Sequence, residues 1–554
     1  MDETIRPHET APPRSRSTFR RRTLLRVAAT ATAAVVLTSG LAACGKGSAQ
    51  VAGTSGGSAD NTLVVAMTAS DIPLLDTGLA QGQGYEGLRF VGNQLYDGLT
   101  RFDLTKGDQI PPIVPDLAES WEANADLTEW TFKLRQGVTF HDGTPWNADA
   151  AIFNLERYID TGTDHYYPDL NAQGGLSISG IDSFSKVDDS TIVIKTKGPW
   201  SYLPNDLATV YFGSPTAIKK LGNEQFGQNP VGTGPFQFVS LERGQQLTMK
   251  ANENYWNGRP KVDEVILRPI PDATARVAAL RSGEVNWIEV PPPDDVPALS
   301  GEGFQVLTNS YDHVWPWVYN TTKAPFNDPK VREALNWAID RDSLVKNILN
   351  DTAEPALQIA PHANAAYRAE NDIYGFDAAE AKQMLADAGY PDGFTMTLSY
   401  PTSGSGNMVP TPMNTALQAD LAKIGVKVEL KPVEWASMLT DFFAGRIPDD
   451  ADALNISLSF QQEGFWSLWF GSQSGVNAGK YSNPEVDALF AKAKTVLDDK
   501  ERSDIYAQAA VLMGQDSPWL VVVNDKNPRV LAPNVTGFVQ PQSWFADLTQ
   551  LSVS

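Results

Sequence analysis

The sequence predicts a mixed α/β (α+β) protein with more than one lobe, and three observations predict it. The chain has 554 residues, beyond the size at which a single hydrophobic core stops growing. Its hydrophobic content of 42% and charged content of 20% are those of a globular chain. Apolar positions recur with the period of strands in some segments and of helices in others, without a strict repeat.

Residues 63–67 are a short apolar run of the kind that makes a buried strand. Trp130, Phe132 and Leu134 alternate with Thr131, Lys133 and Arg135, the pattern of a half-buried strand. Val426, Val428 and Leu430 alternate in the same way with lysines and a glutamate, and residues 519–523 form a continuous apolar strand, read as central. Asp328-Pro329 supplies an N-cap and first helical position ahead of Val331, Leu335, Ala338 and Ile339. Asp377 with Glu380 is a capping-box pattern whose helix ends at Gly389, and Asn483-Pro484 opens another helix.

The first 44 residues are of a different kind. Seven arginines and three acids precede Cys44, which leaves the remainder of the chain with a charge of −26. So acidic a body repels phosphate backbones, and nucleic acid is excluded as a partner. Residues 20–26 are strongly basic and residues 27–43 are small and apolar, the n-region and h-region of a signal peptide. The apolar run is shorter than the roughly 20 strongly apolar residues of a spanning helix. Leu41-Ala42-Ala43-Cys44 closes it and resembles the lipobox of bacterial lipoproteins, cut before a cysteine that takes the lipid. Cys44 is the one cysteine of the chain, so neither an internal disulfide nor a thiolate metal cage can form. Arg21-Arg22 also fits a twin-arginine export signal, and the export route is left open. Residues 45–61, rich in Gly, Ser and Ala, read as a flexible tether.

A family resemblance appears from residue 95 onward. Leu95-Tyr96-Asp97-Gly98-Leu99, Val114-Pro115-Asp116-Leu117-Ala118-Glu119-Ser120-Trp121 and Phe140-His141-Asp142-Gly143-Thr144-Pro145 follow in order. Gly232-Thr233-Gly234-Pro235-Phe236, Asn254-Tyr255-Trp256 and Val331-Arg332-Glu333-Ala334-Leu335 continue the series, and Tyr481-Ser482-Asn483-Pro484 closes it. This series resembles family 5 of the extracellular solute-binding proteins, the peptide- and nickel-type receptors of ABC importers. The resemblance implies a two-lobed, periplasmic-binding-protein-like clamshell of the class II type, with an extra subdomain on the first lobe.

The implied layout is a signal peptide at 1–43 and the lipidated cysteine and tether at 44–61. Lobe I follows at 62–95, interrupted by the extra subdomain at 96–228, and resumes at 229–311. Lobe II spans 312–521, and the chain finishes lobe I at 522–554. Hinges are expected at Tyr311, Asp312 and Val522. The implied function is capture of an oligopeptide or similar solute outside the cell by interlobe closure, and its delivery to ABC permease subunits served by separate ATPase subunits. The protein is then a monomer, anchored by lipid to the outer face of the cytoplasmic membrane. An oligosaccharide receptor of the same family is the alternative, with a surface hydrolase or chaperone behind it.

No catalytic residue, metal site or cofactor is expected. The five histidines lack metal spacing, which disfavours nickel as the ligand. Gly82-Gln83-Gly84-Tyr85-Glu86-Gly87 spells a dinucleotide loop but does not directly follow a strand. Residues 449–452 read as a solvated acidic loop, and Thr402-Ser403-Gly404-Ser405-Gly406 as a loop without nucleophile-elbow spacing. Ligand-binding candidates are Trp315, Trp317 and Trp435, with Phe460, Gln461, Gln462 and Glu463. In peptide-binding relatives this last segment resembles Trp-x-x-Asp, whose aspartate pairs with the ligand's α-amine. Here Gln461, Gln462 and Glu463 stand instead: Glu463 can serve as a shifted anion, and the glutamine amides can equally bond sugar hydroxyls or backbone amides, which puts a free peptide α-amine in doubt and raises an oligosaccharide as the alternative ligand.

Overall fold

The computed structural model describes residues 61–554 apart from 82, 83 and 407, and their side chains apart from those of Gln81 and Tyr85. Cys44 and the cleavage residues Leu41, Ala42 and Ala43 lie outside the described residues, as do Gly82 and Gln83 of the glycine-rich string.

Among the described residues, two seven-stranded sheets organise the fold. In the first, the apolar run predicted at 63–67 becomes the strand Thr62–Met67. It pairs in parallel with Glu264–Pro269 on one side and Trp287–Glu289 on the other. Helices and loops cover both faces, so Leu63, Val65, Ala66 and Met67 are all buried, as expected for a central parallel strand. Gln246–Ala251 and Phe236–Glu242 extend this sheet on one flank, and Arg529–Leu531 and Gln305–Leu307 extend it on the other.

The second sheet runs Ala353–Pro355, Trp519–Asp525, His313–Tyr319, Ala453–Asn455, Thr395–Pro401, Lys427–Val433. The short strand Leu458–Ser459 pairs with the beginning of His313–Tyr319. Both Trp519–Asp525 and His313–Tyr319 are buried along their whole lengths. Alternation across the pleat sends Val521 into one core and Leu520 and Val522 into the other. A four-stranded antiparallel sheet stands apart, in the order Ala118–Ala123, Glu129–Leu134, Thr191–Thr196, Ile181–Asp188. There Trp130, Phe132 and Leu134 point inward as their spacing predicts, against the helix Ala148–Ile159.

The predicted caps form. Asp328 Oδ1 accepts from Lys330 N at 2.9 Å, Asp377 Oδ1 from Ala379 N and Glu380 N, and Asn483 Oδ1 from Glu485 N. The side-chain oxygen satisfies amides that the first helical turn leaves without partners.

The chain passes between the two large sheets twice, over residues 308–312 and 526–528. Tyr311 and Asp312 lie in the first passage. Val522 does not lie in the second: it is fully buried in mid-strand, and its carbonyl accepts from Ala356 N at 3.2 Å. The expected crossing there moves to 526–528. A continuous run of β-branched residues belongs inside a sheet, and the turn chemistry comes later, at Asn527-Pro528. No helix among the described residues is long and apolar enough to cross a membrane.

Candidate functional site

A cleft opens where the segments carrying the two large sheets and the small sheet meet. Its wall includes Gly84, His313, the loop Ser405-Gly406, Trp435, Phe443, Trp469 and Trp544. It continues, through Gly84, Phe443 and Trp469, into a second chamber closed by Leu88, Leu176, Gln462 and Phe465. Each chamber has a cavity volume of about 50 Å³.

The helix Trp435–Phe443 supplies one aromatic wall. Glu434 caps it, its carboxylate accepting from Ala436 N and Ser437 N. Glycines bring the backbone close to the rings. A Cβ on Gly404 (φ +114°) would lie 2.4 Å from the Trp435 ring. One on Gly406 (φ +72°) would lie 3.2 Å from both Trp544 and His313 Nε2. The loop that lacks nucleophile-elbow spacing in the sequence is thus a packed element of the wall.

Three of the rings at this wall cluster: the centroids of Tyr311, His313 and Trp544 lie 5.0, 5.2 and 5.4 Å from one another, and His313 Nδ1 is 2.9 Å from Asp525 Oδ2. The Arg89 guanidinium sits 4.1 Å from the Trp544 ring. Arg89 is fully buried, with Glu289 Oε2 at 2.7 Å and Glu86 Oε1 at 3.9 Å. Glu289 in turn meets Arg529 Nε at 3.1 Å, and Arg529 donates to the Trp544 carbonyl at 2.7 Å. Burial pushes the Glu86 carboxyl up, opposed by Arg89 and by the bonds from Thr68; burial brings Arg529 down to about 10.

The segment after Phe460 ties the parts together. Gln462 Nε2 donates to Thr209 Oγ1 at 2.7 Å, and Glu463 N to Asn205 Oδ1 at 2.9 Å. Gly464 N donates to Asp206 Oδ1 at 3.3 Å, and Ser543 Oγ donates to Gln461 Oε1 at 2.8 Å. On the opposite side, Glu86 N donates to Ser405 Oγ at 3.1 Å. Glu463 is consumed by Arg502, whose NH2 lies 2.7 Å from Oε1.

Of the residues singled out from sequence, Trp435 lines the cleft, Gln462 closes its second chamber, and Gln461 lies beside Trp544 through Ser543. Phe460 belongs to the core, 4.5 Å from the Trp466 ring. Trp315 and Trp317 are core residues too. Trp315 Nε1 donates to Gly406 O and Trp317 Nε1 to Asn414 Oδ1, both at 2.8 Å. Arg89, Glu289, Arg529 and Trp544 were missed. They lie up to 455 positions apart in chain numbering and carry no local pattern. Among the described residues no group of His, Cys, Asp and Glu could hold a metal ion.

Two donors of residues on this wall have no acceptor, Trp435 Nε1 and Trp544 Nε1; Gln461 Nε2, of a residue that lines neither chamber, also lacks one. A buried polar group left unsatisfied costs about 1–3 kcal/mol, and native proteins pair the large majority of such groups.

A family model described as bacterial extracellular solute-binding proteins, family 5, middle region, matches residues 112–478. Heme-binding protein A of Haemophilus influenzae is 32% identical over 513 residues, which cover 87% of this chain and 90% of that one. The glutathione-binding protein GsiB of Salmonella typhimurium is 31% identical over 470 residues, covering 82% of this chain and 88% of that one. Among solved structures, the periplasmic binding protein DppA of Helicobacter pylori in complex with the peptide STSA matches with a TM-score of 0.77 at 26% identity. That match covers 89% of this chain and 98% of the other. HbpA2 of Haemophilus parasuis matches with a TM-score of 0.72 at 27% identity, covering 89% and 100%.

Proposed function

This chain belongs to the family 5 bacterial extracellular solute-binding proteins, and from that membership we propose that its solute is a peptide or peptide-like molecule. It is a solute-binding protein rather than an enzyme, its fold is periplasmic-binding-protein-like, and proteins of this family work outside the cytoplasm with ABC permeases. The observation that supports the peptide reading is the cleft itself. Its lining is mostly apolar, aromatic and aliphatic side chains together, with polar groups placed among them, as suits short peptides with apolar side chains. Two of the relatives fit the same reading, since glutathione is a tripeptide and DppA carries a peptide, while heme-binding protein A is named for a different solute.

Capture proceeds by closure. The bonds from Gln461, Gln462, Glu463 and Gly464 to Ser543, Thr209, Asn205 and Asp206 belong to the closed arrangement, and ligand shifts the equilibrium by its greater affinity for that state. A thermal-shift screen of di- to pentapeptides against oligosaccharides of similar size tests this. Ligand at about 100 times its Kd stabilises by ~2.7 kcal/mol, which is expected to raise the melting temperature by ~2 °C or more. Shifts confined to the oligosaccharides would replace the peptide reading.

The proposal includes lipid anchoring at Cys44, with residues 45–61 as tether and the monomeric binding protein held near its permease. A single acyl chain holds only marginally and two hold stably, so a diacylglyceryl cysteine suits the task. Cys44→Ser is expected to move the protein from the membrane to the soluble fraction on ultracentrifugation; unchanged sedimentation with membranes would remove the anchor.

A further inference from the structure

A short helix on the cleft wall takes its cap from a distant part of the chain. Gly464–Phe470 has seven residues, too few to stand by propensity alone, and it opens on a poor helix former. Its Phe465, Leu468 and Trp469 line the second chamber, while Trp466 and Phe470 anchor it in the core.

The first turn has no cap of its own. Glu463 stands at the N-cap position, but its carboxylate is held by Arg502, whose NH2 lies 2.7 Å from Oε1. The four amides that open the helix are satisfied all the same. Phe465 N donates to Gln462 O at 3.0 Å and Trp466 N to Glu463 O at 3.3 Å. Glu463 N donates to Asn205 Oδ1 at 2.9 Å and Gly464 N to Asp206 Oδ1 at 3.3 Å, each across 258 positions of sequence. A neighbouring side chain supplies this service in most helices.

The fit at the junction excludes a side chain at residue 464. A Cβ on Gly464 would lie 2.7 Å from Asp206 Oδ2, an oxygen held in place by Trp200 Nε1 at 3.1 Å. Gln462 Nε2 holds the same segment through Asp206 O at 3.3 Å and Thr209 Oγ1 at 2.7 Å. Glycine weakens the helix by itself and is the residue that admits the cap.

We infer that Asn205 and Asp206 are positioning residues for the ligand wall: closure brings them onto the start of helix Gly464–Phe470, caps it from outside and so sets Phe465 in the second chamber. When the cleft opens, the Glu463 and Gly464 amides exchange both acceptors for water, and the first turn frays. A solute that holds the cleft closed thereby completes one of its own walls, which couples binding to closure. The inference rests on the closure proposed above and holds whether or not the solute is a peptide.

Hydrogen–deuterium exchange of the purified protein, read on fragments covering residues 463–468, tests it. The protein is measured alone and with the di- to pentapeptide that gives the largest thermal shift. Without peptide these amides are expected to exchange about tenfold faster than with it, and Asn205→Ala leaves the peptide-free rate unchanged. Exchange in the peptide-free parent as slow as in the complex, or faster exchange in peptide-free Asn205→Ala, would show a cap that belongs to the resting fold and overturn the inference. With peptide, Asn205→Ala is expected to lose most of the protection and to bind about fivefold more weakly. Gly464→Ala separates the device from plain helix stability. Alanine is the better helix former, yet this variant is expected to bind about tenfold more weakly because its methyl group meets Asp206. Unchanged or tighter binding by Gly464→Ala, with native circular dichroism in both variants, would also overturn the inference. Should no peptide bind, the peptide reading falls, and exchange in the peptide-free parent and Asn205→Ala still decides whether the cap belongs to the resting fold.

Discussion

Replacing Arg89 by methionine is expected to lower the stability of the protein by about 3–5 kcal/mol, read as a shift of the denaturation midpoint in urea. The size follows from what is left behind. Arg89, Glu86 and Glu289 have no exposed side-chain surface, and Glu289 relies on Arg89 at 2.7 Å and Arg529 at 3.1 Å. Removing one cation leaves Glu86 and Glu289 with the Arg529 guanidinium near one of them, inside a medium where an uncompensated charge is costly. Methionine keeps most of the volume, so the loss measures charge rather than a cavity. The double variant Arg89→Met/Glu289→Gln is expected to recover part of the loss, because it removes the stranded anion along with its partner. A single-variant loss below about 1 kcal/mol would mean that Glu289 is neutral in the native state, and the ion-pair account would fall.

Several elements of this fold were legible because the signal is local. Asp328, Asp377 and Asn483 announce their helices through a side chain that reaches amides two or three positions away. Trp130, Phe132 and Leu134 announce a strand because the period of two survives whatever packs against it. The cleft is not local. His313, Ser405, Trp435 and Trp544 meet through a crossing, a loop and the C-terminal segment, and nothing in the residues beside any one of them names the others. Tryptophan by itself does not separate core from cleft: Trp317 and Trp435 are both buried, and only their indole N–H groups differ, one satisfied by Asn414 and one unpaired. Glu463 shows the same limit for charge. It looks like a free anion in the sequence, and it is neutralised by Arg502, 39 positions away.

Asp206 carries the second large effect, one that depends on pH. It lies where the helix Leu203–Asp206 meets the helix Gly464–Phe470, accepting from Gly464 N and Trp200 Nε1. Burial pushes its carboxyl up to about 8 and Glu463 adds to the rise; the bonds from Gly464 and Trp200 and the Lys494 charge oppose it. Tyr202 and Tyr506 complete the groups that face it, with Arg502 behind Glu463. In the unfolded chain an aspartate titrates near ~3.9. Between those two values the native state holds a proton that the unfolded state has lost, so stability falls as pH rises. The contribution is fully present below about pH 4 and is lost by pH 8, with a limiting slope of ~1.4 kcal/mol per unit. Asp206→Asn removes the titration and keeps one acceptor, at a uniform cost of about 1 kcal/mol for the lost bond. Melting curves from pH 5 to 8.5 are therefore expected to cross: the variant is the less stable protein at pH 5, gains on the parent by up to a few kcal/mol, and is the more stable one toward pH 8.5. Peptide affinity should follow the same course in the parent, because closure buries the Asp206 carboxyl and burying it costs more once it is ionised. Parallel curves for parent and variant across this range would show that Asp206 is ionised throughout and that the junction does not respond to pH.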